Sequence, residues 1–152
     1  MGETRPGALG FFEALDREAV VAAIREAEAK GQGEIRVHLH HGRVQDPRAE
    51  AERTFLRLGM DRTRLRSGCL VFVAPEERAF VVLGDAGIHE KAGDRLWESA
   101  RDAAAVHFLA GRFTQGLVEA VRVVGEELAR RFPRGAGEAN PDELPDEVSE
   151  SR

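Results

Sequence analysis

The chain has 152 residues, one cysteine, a formal net charge of -5, 42% apolar and 32% charged residues. That is the length of one domain with enough apolar content for a core. The acidic balance excludes a general nucleic-acid binder. No apolar run approaches the ~20 residues that span a bilayer. The single Cys69 rules out an internal disulfide and a thiolate zinc site.

Residues 1–15 read as a lead-in, with Phe11, Phe12 and Leu15 available to dock on the domain. They carry no basic start followed by an apolar stretch, so the expected compartment is the cytoplasm. Asp16 is suited to cap a helix over 17–30, with Val20, Ala23, Ile24 and Ala27 as its apolar stripe. The Gly31-Gln32-Gly33 run stops it. Glu34 to His41 alternates, with Ile35, Val37 and Leu39 on one side and Arg36, His38 and His40 on the other. This predicts a half-buried strand with a solvated polar face. Asp46-Pro47 opens a second helix that carries Ala51, Phe55 and Leu58 and ends near Gly59.

Gly68 to Ala74 is continuously apolar, the pattern of a central strand. Cys69 lies inside this run and reads as a small buried hydrophobe. The turn Pro75–Arg78 joins it to a strand over Ala79–Leu83, so the two form an antiparallel hairpin. Helices are expected over 91–110 and 114–131, the second capped by Thr114. His107, beside Phe108, reads as a core histidine. From Pro133 the composition becomes acidic and proline-rich, which predicts a disordered tail over 133–152. The expectation is therefore a lead-in (1–15), an α/β domain (16–132) and a tail. Its mixed sheet holds a central antiparallel hairpin, and helices sandwich the sheet. A helical crossover makes the first two strands parallel.

Four segments in this order carry a family resemblance. They are Gly33-Glu34-Ile35-Arg36-Val37, the hairpin from Ser67 to Ala74, Leu83-Gly84-Asp85-Ala86-Gly87-Ile88-His89-Glu90, and Phe108 to Leu117. Together they resemble the TPM-domain family of thylakoid lumen, photosystem-repair and acetylcholine-receptor accessory proteins. The resemblance implies an α/β sandwich. It also implies a repertoire of acid phosphatase activity in some members, calcium binding in others, and roles in assembling or repairing membrane complexes. The chain departs from the family where Arg66-Ser67-Gly68 replaces Asp-Asn-Gly, and where His89 stands near a family glutamate. An aspartate further on is kept as Asp94. The Gly-Asp-x-Gly-Ile-His run is similar to a cytoplasmic branch.

The hairpin brings Arg66, Asp85, His89 and Asp94 toward one corner. A divalent cation, calcium or another, would use Asp85 and Asp94, with His89 if it were a transition ion. Phosphate would use Arg66, protonated His89 and helix N–H groups. A phosphatase would need both, with Arg66 and His89 as its candidate catalytic residues. A structural role is the leading reading of these residues: Asp85 bracing its turn, Arg66 pairing with Asp85 and His89 capping the helix. His38, His40 and His41 form a second histidine group, expected at the opposite end of the sheet. No familiar nucleotide-binding or hydrolase motif is present. The expected function is a noncatalytic binding or accessory domain with a protein partner in a membrane-associated complex. It is expected to bind no nucleic acid and not to insert in the membrane. A metal-dependent phosphatase and a purely structural interaction domain are the alternatives.

Overall fold

A strand with no polar face must be covered on both sides, and Cys69–Ala74 is such a strand. In the computed structural model, which describes residues 8–88, 95–133 and 147–151, that strand sits inside a four-stranded mixed sheet. The strands are β1 (Glu34–His40), β2 (Gly68–Ala74), β3 (Ala79–Gly84) and β4 (Val148–Ser151), in the spatial order β3-β2-β1-β4. β1 and β2 run parallel, with Glu34 opposite Gly68 and Leu39 opposite Val73. β2 and β3 form the antiparallel hairpin, from Cys69 opposite Gly84 to Ala74 opposite Ala79. β1 and β4 are parallel.

The helices are α1 (Ala8–Ala14), α2 (Arg17–Glu28), α3 (Pro47–Arg57), α4 (Arg95–Leu109) and α5 (Phe113–Arg131), and the chain also enters a helix at Ala86. Asp16 and Asp46 cap α2 and α3, accepting from the N–H groups of Ala19 and Ala49 at 3.1 Å. On one side of the sheet Ile35, Val37, Leu39, Cys69, Val71 and Val73 meet Val20 and Ile24 of α2, Leu96 and Ala100 of α4, and Leu117 and Val121 of α5. On the other, Leu70, Phe72 and Leu83 meet Ala51 and Phe55 of α3, with Met60. Burying each large side chain is worth about 1.5–3 kcal/mol, so the two clusters cover the sheet from both faces.

Four expectations change. Phe11 and Leu15 dock in the main core as expected, but residues 8–14 are helical, so the folded part starts inside the lead-in. Thr114 does not cap α5. Its hydroxyl instead accepts the Asp16 N–H at 3.0 Å, tying α5 to the start of α2. His107 is half-buried, with Nδ1 3.4 Å from Arg112 Nε, and is not a core residue. The tail is not disordered throughout, because Val148–Ser151 is β4; residues 134–146 lie outside the described residues.

Helices α2 and α5 approach closely because Gly125 has no side chain. A Cβ there would lie 2.4 Å from the Ala27 Cβ. Gly125→Ala is therefore expected to force the pair apart and cost about 1–3 kcal/mol. The readout is a lower urea midpoint at unchanged slope; an unmoved midpoint would show that the interface has slack.

Candidate functional site

At the hairpin corner the loop before β2 meets the turn after β3. Arg66 adopts a left-handed backbone (φ 53°), an unfavourable conformation for a side chain with a Cβ. Its carbonyl accepts the Gly87 N–H at 3.0 Å, and the Asp85 N–H donates to the Gly68 carbonyl at 2.9 Å. A Cβ on Gly87 would lie 2.4 Å from the Leu65 carbonyl oxygen, so only glycine permits this approach. Arg66 Nε and Nη2 donate to Asp85 Oδ2 and Oδ1 at 2.7 and 2.9 Å. The Ala86 N–H donates to Oδ1 as well, at 2.7 Å. Both oxygens of a carboxylate that is only 5% exposed are thus bound within the protein. The bidentate pair holds the guanidinium even more firmly in its charged form. Of the four residues expected at this corner, Arg66 and Asp85 meet; His89 and Asp94 lie outside the described residues. Ser67 is buried, its hydroxyl donating to the Gln32 carbonyl at 3.2 Å. Burial pushes the Cys69 thiol up, which leaves it inert. Among the described residues no three His, Cys, Asp or Glu side chains are grouped to hold a metal ion.

The second polar assembly is one the sequence reading missed. β1 is buried on both faces, including Arg36, His38 and His40 at 6, 2 and 5% exposure. The solvated face expected for it does not exist, because α3 and β4 close over it. Buried polar groups need partners, and β4 supplies them. His38 Nδ1 lies 2.7 Å from Ser149 Oγ and Nε2 lies 2.6 Å from Ser151 Oγ. Arg36 Nη2 donates to Glu147 at 2.8 Å, while Arg36 Nε is buried with no partner among the described residues. On the other face of β4, Arg17 forks onto both Glu150 oxygens at 3.0 and 2.9 Å. His41 Nε2 lies 2.6 Å from Glu150 and its ring stacks on Phe12 at 3.8 Å. Arg17 first, then His41, holds the Glu150 carboxyl below its usual range. The sequence signal was a pair of matching alternations, Arg36-x-His38-x-His40 against Glu147-x-Ser149-x-Ser151.

A family model for the TPM domain matches residues 8–127. The chain belongs to the TPM-domain family. Among solved structures it is similar to the BA42 protein from the psychrophilic bacterium Bizionia argentinensis, at 40% identity and a TM-score of 0.81, over 88% of this chain and 91% of that one. The N-terminal domain of the cg2496 protein from Corynebacterium glutamicum shares the fold at 19% identity, with a TM-score of 0.61, over 80% of this chain and 76% of that one. So does the N-terminal domain of a P. gingivalis protein, at 16% identity and 0.62, over 78% and 76%. No curated protein matches.

The TPM match includes the hairpin corner and stops before β4. The β1–β4 seam is thus built from a TPM strand and a segment outside the matched core. An open pocket of about 520 Å³ adjoins the seam at the carboxyl end of β1, lined by His40, Arg43, Asp46, Glu50 and Arg53. Its Glu50 is bound by Arg53 at 2.9 Å, which lowers the carboxyl pKa. As expected from the parallel crossover, His40 and His41 stand at the opposite end of the sheet from Asp85.

The burial of His38 at the seam predicts that the fold loses stability in acid. Burial first, then the charges of Arg57, His40 and Arg36, pushes His38 down to about 4, with only Glu50 opposing. The folded state therefore binds fewer protons than the unfolded state between pH 4 and the ordinary value of 6.5. Its contribution is complete above 6.5 and is lost on falling to about 4. That contribution is up to about 3 kcal/mol. Thermal melts across this window are expected to show the loss, and His38→Gln to flatten it. The same slope in the variant would exclude His38 as its source.

Proposed function

We propose that the chain is a noncatalytic TPM-like binding domain that works through a protein partner. The carrying observation is the closed pair at the hairpin corner. A phosphatase needs a free base or a metal to activate water, and a free cation to hold phosphate. Here Asp85 and Arg66, the two expected site residues that are described, are bound to each other by two hydrogen bonds. Ser67 and Cys69 are both buried, and among the described residues neither is given a basic side chain as a partner. The pair braces the corner, with Asp85 also holding the Ala86 N–H where the next helix begins. The family resemblance supports a membrane-associated complex as the setting. Among the described residues no helix is long and apolar enough to cross a membrane.

The test is hydrolysis of p-nitrophenyl phosphate from about pH 4 to 9 with calcium, magnesium or zinc. The expected rate is that of the protein-free solution. Turnover that disappears in Arg66→Ala and His89→Ala would instead establish the phosphatase.

A divalent cation at the same corner is a second reading, supported by the deep seat of Asp85 beside an exposed loop. Such a cation must displace the Arg66 guanidinium, so the two compete for one carboxylate. Any thermal stabilisation by calcium is thus expected to be weak in the native chain, larger in Arg66→Ala and absent in Asp85→Ala. Equal shifts in all three would place the ion elsewhere.

A further inference from the structure

β4 has the properties of a docked ligand more than those of a core strand. It is four residues long and lies at the sheet edge, paired only with β1. Val148 is the one apolar side chain it brings to the core. Its remaining side chains, and Glu147 just before it, attach through charge and hydroxyl contacts: Glu147 to Arg36, Ser149 and Ser151 to His38, and Glu150 to Arg17 and His41. The TPM family match ends at residue 127, so the shared part that it defines stops before β4. The receptor side, by contrast, belongs to α2 and β1 of that shared part.

We propose that the outer edge of β1 is a peptide-docking site for extended acidic segments with alternating hydroxyl residues, and that Glu147–Ser151 is its tethered occupant. Recognition follows from strand addition, in which backbone pairing supplies affinity and alternate side chains supply selectivity. The register is fixed by Val37 opposite Val148, His38 opposite Ser149 and His40 opposite Ser151. Toward α3, Arg36 selects an acid and His38 then selects two hydroxyls spaced by one residue. Toward α2, Arg17 and His41 select an acid lying between those hydroxyls. An incoming basic segment would face Arg36 and Arg17 and be rejected. The partner this edge fits is therefore a protein whose exposed strand or terminus reads acid-x-hydroxyl-acid-hydroxyl. It gains access when the tethered copy leaves. Charging His38, which faces Arg36 and His40 on its own strand and Glu50 and Arg57 on α3, favours that departure.

The inference rests on the reading of the chain as a binding domain but not on the hairpin corner. Phosphatase turnover would sink that reading and leave the edge intact, whereas failure to bind peptide would sink this one alone. The test uses the full chain carrying Glu147→Arg and Glu150→Arg, which repels the tether while leaving residues 8–127 unaltered. The probe is a fluorescent peptide of residues 145–152, with a control in which its glutamates are lysines. Saturable binding is expected to the variant, weaker by about tenfold or more to the native chain with its edge occupied. None is expected for the control peptide. No binding to a variant that keeps its far-ultraviolet circular dichroism would overturn the proposal. So would a stable dimer of the variant or native chain formed by exchange of the segment, since the occupant would then be a second copy. Hydrogen exchange on the native chain guards against a misfolded variant. Amides of β4 opening well before those of β2 support a detachable occupant, and the two strands opening together would make β4 an integral strand and end the proposal.

Discussion

A buried imidazole must find a partner for each ring nitrogen, and in this protein one edge of the sheet is organised around that demand. His38 is 2% exposed, on a strand whose even-numbered residues are all polar. β2 beside it offers only Leu70, Phe72 and Ala74 on that face, and Phe72 stacks near the His38 ring at 5.8 Å. The hydroxyls come from residues 149 and 151, more than a hundred positions away. Buried beneath β4 and left unpaired there, each ring nitrogen would cost about 1–3 kcal/mol, which the two hydroxyls avoid. The sheet is thus completed by the last residues of the sequence.

The two ends of β1 differ in kind. At its start the corner is closed by short-range logic: a left-handed Arg66, a glycine at 87 that lets backbones touch, and a carboxylate that satisfies both an N–H and a guanidinium. Toward its end the contacts are long-range and mostly between side chains, with half-exposed groups such as Arg17 and Glu150 among them. Exposed ion pairs contribute little each, and the cations of both pairs are partly exposed, Arg17 at 38% and Arg66 at 53%. What separates the two ends is sequence distance: the corner joins residues 19 positions apart, the seam residues more than a hundred apart.

Most of the sheet was legible in the sequence because its signals are dense. The unbroken run Cys69–Ala74, the turn at Pro75–Arg78 and the Asp46-Pro47 helix start each specify local structure, and all three are found. The Arg66–Asp85 pairing was readable as well, since the hairpin register brings the flanking segments together. β4 was not legible. A four-residue strand with one apolar residue has no hydrophobic alternation to detect, and the composition of 133–152 points to disorder. The solvated-face reading of β1 failed for the same reason. It was a local inference about residues whose partners are remote, and only the complementarity of two polar alternations could have joined them. His89 and Asp94 were chosen by resemblance and proximity, and they fall outside the described residues.

The central claim is that β4 seals a buried, neutral His38. The most direct measurement is nitrogen NMR of the His38 ring in the full chain near pH 5. The account predicts a neutral imidazole there, with one protonated nitrogen protected from exchange and titration delayed to about 4. A ring that titrates near its ordinary value of 6.5, with freely exchanging N–H groups, would contradict it and show the edge of β1 open to water.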